Sequence, residues 1–303
     1  MSWKIFFSVF SVIFLLGLIF MYWFILPIGT ESFGRYNQNT NFSLDSNQSL
    51  QFYPNLRYPA KEISYRIENC PLAKHDEIIR SLQTLKNLTI LNFYSVKNNE
   101  EIQITCDSNT KLEGDFFVAG EGGPEIITET SNFNVILRGK VLLLRESKCE
   151  NPIIGVHEIL HALGFVHSAN PYNIMYNFSK CGQEIGQDVI NEINRLYSVE
   201  SLPDLVIESA SAQMSGRYLD VNATVRNNGL KEVENANLII YEDNSKVKEI
   251  SLNKLKIGYG STFAISNIFV PDLRVNEIKL LIEYPDPELD KLNNEIVLTL
   301  EKN

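Results

Sequence analysis

The run His157-Glu158-Ile159-Leu160-His161-Ala162-Leu163-Gly164-Phe165-Val166-His167 limits what this chain can be more than any other feature. His157 and His161 are four residues apart, so on a helix their imidazoles leave one face a turn apart and can share an ion. Glu158 follows the first of them, which sets its carboxylate beside such an ion rather than on it, in reach of a water proton. Gly164 allows the chain to leave the helix through a left-handed conformation. His167 can then return as a third nitrogen donor. Three neutral imidazoles with one open position are the ligand set of a catalytic zinc. Only four histidines occur in 303 residues and three are in this run. His75, the fourth, reads as a solvated helix residue.

The motif, with Ser168 after the last histidine and Asn173-Ile174-Met175-Tyr176 beyond it, resembles the metzincin metalloproteases. The His-Ser ending and the Met-Tyr pair are most similar to the matrixins. The resemblance implies an α+β zincin-like catalytic domain that hydrolyses peptide bonds. It implies one Zn²⁺ on His157, His161 and His167, Glu158 as general base, Gly164 as the hinge and Met175 as a hydrophobic floor. Ile185–Tyr197, with apolar positions Val189, Ile190, Ile193, Leu196 and Tyr197, is similar to the closing helix of that domain. The resemblance covers roughly residues 55–199. Substrate backbone in this clan is held by strand addition to a sheet edge. By chain order that edge is expected at Phe117–Gly120, with Val118, Ala119 and Gly120 as contacts and Val135-Ile136-Leu137 as the alternative. The turn Gly120-Glu121-Gly122-Gly123-Pro124 is expected as a loop beside the cleft.

Two departures from the family stand out. With His75 the only other histidine, a second, three-histidine structural zinc site cannot be assembled. No Pro-Arg-Cys-Gly stretch is present, so a cysteine-capped latency segment is not expected.

Upstream of the motif the alternation of Ile63–Ile67 reads as a strand, and Cys70-Pro71 opens a helix with apolar positions Leu72, Ile78, Ile79, Leu82 and Leu85. Further strands are expected at Ile90–Val96, Glu101–Cys106, Phe116–Ala119 and Gly139–Leu144. The active-site helix is expected from Ile153 to Leu163.

Ile5–Leu26 carries no charge, and as a helix it would be roughly 33 Å long, enough to cross a hydrocarbon core. It reads as an uncleaved signal anchor, with a cleaved signal peptide as the alternative. Lys4 and the amino terminus form the positive flank, so the remainder is expected outside the cell. Residues 27–52, rich in Asn, Ser, Gln and Thr, read as a flexible stalk. The catalytic domain is assigned to 53–200.

The cysteines are Cys70, Cys106, Cys149 and Cys181, none with C-x-x-C spacing. In an oxidising compartment they imply two disulfides, and three connectivities are allowed. Cys149–Cys181 would brace the loop carrying His167 and Met175, leaving Cys70–Cys106.

From Pro203 onward short alternating segments recur at the spacing of a β-sandwich: Asp204–Ser209, Tyr218–Arg226, Asn237–Tyr241, Thr262–Val270 and Glu277–Glu283. Asp204-Leu205-Val206, Val225-Arg226-Asn227-Asn228-Gly229 and Asn293-Asn294 resemble the CARDB domains, immunoglobulin-like modules of microbial surface proteins. An all-β domain is therefore expected over 203–303, available to surface partners. Calcium at Asp286, Glu288 and Asp290 is allowed by composition but not supported, since a solvated acidic loop has the same residues.

The net charge of −10 argues against a nucleic-acid partner. The expected substrates are proteins or peptides outside the cell. The competing class is a surface adhesion protein with an idle zinc site. It would be signalled by loss of a histidine or of the glutamate, and all four are intact.

Overall fold

A computed structural model describes residues 3–25, 30–35, 40, 42–44, 50–109, 111–114, 116–272 and 274–300. The chain opens with α1 (Trp3–Ile25), a helix long and apolar enough to cross a membrane, with none of its residues from Trp3 to Phe20 buried in the protein. Leu26, the last residue of the expected anchor, lies outside the described residues.

β1 (Thr30–Arg35) follows, and it corrects the flexible stalk expected over 27–52. Thr30–Arg35 is a strand in the C-terminal domain, paired on both sides. The composition misled because one buried aromatic, Phe33, carries the apolar contact while Thr30, Glu31 and Ser32 stay exposed. Farther on, Thr40 Oγ1 and the Phe42 amide both donate to Asp290 Oδ2, at 2.9 and 3.2 Å.

The catalytic domain begins with β2 (Leu56–Arg57), β3 (Glu62–Glu68), α2 (Leu72–Leu88), β4 (Asn92–Ser95) and β5 (Ile102–Cys106). The small hairpin β6 (Leu112–Glu113) and β7 (Phe116–Phe117) leads into β8 (Gly120–Glu129) and β9 (Asn134–Leu143). Two helices complete it, α3 (Ile153–Ala162) and α4 (Gln187–Tyr197). β9, β5, β3 and β4 run parallel in that order, with β2 beside the start of β9 and β8 antiparallel along its other edge. α2 buries Ile78, Leu82 and Leu85 as its spacing predicts, but Leu72 and Ile79 face solvent. Leu72 is the first helical residue, too early in the first turn to reach the core.

Arg57 fastens the two ends of this domain. It is 1% exposed, donates to the carbonyls of Leu196 and Val199, and lies over the Tyr197 ring at 4.6 Å. Burial lowers its pKa to about 10, and the carbonyls replace the lost water.

The C-terminal domain contains β10 (Leu205–Ser215), β11 (Tyr218–Asn227), β12 (Asn237–Glu242), β13 (Ser245–Ser251), β14 (Gly260–Phe269), β15 (Glu277–Glu283) and β16 (Glu295–Leu300). The strands at β13 and β16 were not legible. β13 sits at a sheet edge with mostly exposed residues, and β16 follows an Asn-rich turn at the end of the described chain. The full order is β13-β12-β15-β16-β1-β10-β11-β14. The two domains meet through Phe133 of the β8–β9 turn and Val135 of β9, packed with Leu230 and Ile257. The Phe42 ring covers the same seam, 6.0 Å from Phe133.

Candidate active site

α3 is buried at every position from Ile153 to Ala162, which an apolar helix this short achieves only when covered on all sides. Its start is held from α2. Glu77, 1% exposed, accepts from the amides of Gly155 at 3.1 Å and Ser147 at 2.6 Å. That places a carboxylate at the positive end of the helix and satisfies a free amide there. Lys74, one turn earlier, donates to the Leu144 carbonyl at 2.8 Å.

α3 presents His157 and His161 one turn apart. Gly164, at φ +98°, turns the chain out of the helix, and a side chain there would also strike Leu56. His167 then returns to the pair. His161 Nε2 lies 3.0 Å from His157 Nε2 and 3.2 Å from His167 Nε2. The Nδ1–H of His157 donates to the Ile174 carbonyl at 2.7 Å, and that of His161 to the Phe165 carbonyl at 2.8 Å. With their protons on Nδ1, both rings turn a bare Nε2 lone pair toward the common centre. Burial lowers both pKa values, that of His161 to about 4, so the rings are neutral donors. Converging lone pairs at these distances repel unless a cation lies among them, so the residues fit a tetrahedral zinc. Among the described residues this is the one cluster of three His, Cys, Asp or Glu groups close enough to hold a metal.

Met175 is 1% exposed in the catalytic core, in a turn tied to the histidines by main chain. The Ser168 amide donates to the Met175 carbonyl at 2.7 Å, beside His167, while Ile174 receives His157. Asn173 Oδ1 accepts from the Met175 amide at 2.8 Å. Cys149–Cys181 forms and brackets this region, and Cys70–Cys106 joins the connection between β3 and α2 to the end of β5.

Glu158 is 5% exposed beside the histidines. Burial, with Glu121 nearby adding to it, pushes its carboxyl up to about 8. β8 lies against it because Gly120 and Gly122 carry no side chains. A Cβ on Gly120 would stand 2.6 Å from Glu158 Cγ, and one on Gly122 would overlap the Glu158 carbonyl.

β8 also corrects the expected edge strand. Val118 and Ala119 precede it and only Gly120 belongs to it, while Val135–Leu137 lies in β9, where Val135 pairs with both β2 and β8 and Ile136 with β8. The Gly120–Pro124 turn is the first half of the strand. A glycine-rich segment reads as a loop by propensity, but here the glycines are required by contact with α3. Beyond Pro124 the ladder with β9 is bulged at Ile126.

His75 is exposed on α2 beside Asp76, away from the site. Asp286, Glu288 and Asp290 do not converge on one point. Glu288 accepts from the Leu205 amide and Asp290 from Thr40, Phe42 and Leu292. Sequence reasoning missed Lys74, Glu77 and Phe52, whose ring lies 6.1 Å from that of His161. A signal existed for the first two: Lys74, Glu77 and Ser81 share the buried face of α2 with Ile78, Leu82 and Leu85, a polar stripe where an apolar one was due.

Residues 57–198 match the family model of the matrixins, and residues 202–296 match that of the CARDB domains. No match to the chain is found among curated proteins. The chain therefore carries a matrixin domain, the zinc metalloprotease fold that its histidine triad fits, followed by a CARDB domain.

Proposed function

We propose that this protein is a zinc-dependent endopeptidase held at a membrane by α1, cutting proteins or peptides outside the cell. The observation that carries the reading is the convergence of three imidazole Nε2 atoms beside a buried carboxylate. His157, His161 and His167 would hold the ion. A zinc there supplies Lewis acidity toward the scissile carbonyl and lowers the pKa of water from 15.7 to about 7. Glu158 takes the proton of the attacking water on a carboxylate oxygen and returns it to the leaving amine nitrogen. The carbonyls of Ile174 and Phe165 keep the first two imidazoles in one tautomer and orientation throughout. The free edge of β8 at Gly120–Gly123 receives the substrate main chain by strand addition, which tolerates many side chains. Pro124 and the bulge after it end that edge, because proline has no N–H to offer and a bulge breaks the register.

In this reading the chain divides into an anchor at 5–26, a protease at 53–200 and a sandwich at 203–303, with Thr30–Arg35 counted with the sandwich. Glu158→Ala tests the mechanism. The variant is expected to keep its zinc and to lose chelator-sensitive cleavage of an unstructured protein such as casein. Equal cleavage by variant and wild type would overturn the assignment.

A further inference from the structure

Without Thr30–Arg35 the C-terminal domain would consist of two separate sheets. β13, β12, β15 and β16 make one, and β10, β11 and β14 the other. β1 joins them, antiparallel to β10 through Thr30–Phe33 and to β16 through Phe33–Arg35. Two parallel strands thus leave a slot between them, and each would otherwise present a row of unpaired N–H and C=O groups. Phe33 pairs with Ala212 on one side and Leu300 on the other. Its side chain is 3% exposed within the core that contains Met214 and Leu298. The remaining described side chains of β1 contribute little burial, so recognition rests on main-chain pairing plus one aromatic plug. The whole catalytic domain intervenes in sequence between this strand and the domain it completes.

We infer that the slot between β10 and β16 is an acceptor site for an extended peptide bearing one aromatic side chain. Its occupant is the segment Thr30–Arg35 of the same chain. The body of the protein is therefore fastened to its amino-terminal segment twice, by the covalent chain and by an inserted strand. A nick between Arg35 and Thr40 leaves protease and sandwich still attached to α1. The inference rests on strand pairing and is independent of whether α1 spans a membrane.

The test uses the full chain in detergent, with an affinity tag at the amino terminus and a site for a sequence-specific protease inserted between Arg35 and Thr40. After complete cleavage, the wild-type body is expected to stay with the tag, and the Phe33→Asp body to wash away. Release of the wild-type body as fully as the variant overturns the inference. Should Phe33→Asp fail to fold, a competing peptide decides. Overnight incubation of the nicked wild type with free Thr-Glu-Ser-Phe-Gly-Arg is expected to release the body, while the same peptide carrying Phe33→Asp releases none. Equal release by the two peptides, or none by either, overturns it.

Discussion

The two domains are closed by different means. The matrixin domain contains all four cysteines, both disulfides and a set of buried charged side chains bonded to main chain: Lys74 and Arg57 to carbonyls, Glu77 to amides. The sandwich contains no cysteine, and its two sheets are joined by a strand from far upstream. Two of its carboxylates are met by side-chain amides, the buried Asp204 by Asn293 at 2.9 Å and the half-buried Glu288 by Asn294 at 2.7 Å. The difference follows from what each must keep still. His167 and Met175 sit on loops, and loops hold a sub-ångström geometry only when tied down. A sandwich core is held by ladders along its whole length and tolerates a non-covalent seam.

The site should yield the largest effect. Glu158→Gln keeps the shape and removes the proton acceptor, so kcat/KM should fall about 10²- to 10⁴-fold, the usual share of general acid–base catalysis. Zinc content and both thermal transitions should stay unchanged. A matching loss of bound zinc would instead make Glu158 part of the metal's support. The seam comes next. Phe33→Ala should destabilise the sandwich by about 3–5 kcal/mol, as for other buried phenylalanines, while peptidase activity at low temperature persists. If calorimetry showed the matrixin transition falling and the sandwich unmoved, the contrast between the domains would fail.

How much of this was legible in the sequence follows the same division. The helix α3 with His157 and His161, the returning His167, Gly164 and Met175 were legible because metal ligation fixes residue types at fixed spacings. α4 was legible because its stripe has the helical period, with Val189, Ile193 and Leu196 all buried. β8 was not, because Gly120 and Gly122 are selected by contact with Glu158 and carry no strand signal of their own. β1 was not, because one phenylalanine among polar neighbours has no period, and its partners lie at the other end of the chain. Local pattern reports local constraint, and β8 and β1 are strands whose constraint is tertiary.

Reduction should separate the domains in the opposite direction from Phe33→Ala. In the chain-entropy account, opening the Cys149–Cys181 loop of separation 32 removes about 3–4 kcal/mol. Cys149→Ser with Cys181→Ser should therefore lower the matrixin transition and raise KM or weaken zinc retention, since that loop carries His167 and Met175. The sandwich transition should not move, and a shift there under reductant would mean that the domains unfold as one unit.

The smallest effect is a pH dependence within the sandwich. Burial holds the Asp204 carboxyl above its ordinary value, with Asp290 adding to it, and burial does the same to Glu288. A carboxyl with a raised folded pKa binds its proton more tightly in the folded state than in the unfolded chain. Between the ordinary value, about 4, and the raised one, the folded state holds more protons, so stability rises as pH falls through that window. The sandwich should thus gain on mild acidification from neutrality, opposite to the loss expected of a salt-bridged carboxylate. Asp204→Asn removes one of the two groups and can still meet Asn293 through its own carbonyl oxygen. Denaturant midpoints of wild type and variant should diverge in favour of the wild type as pH falls toward about 5. Parallel midpoints over that range would show that Asp204 keeps its charge in the folded domain, and that the Asn293 amide offsets its burial in full.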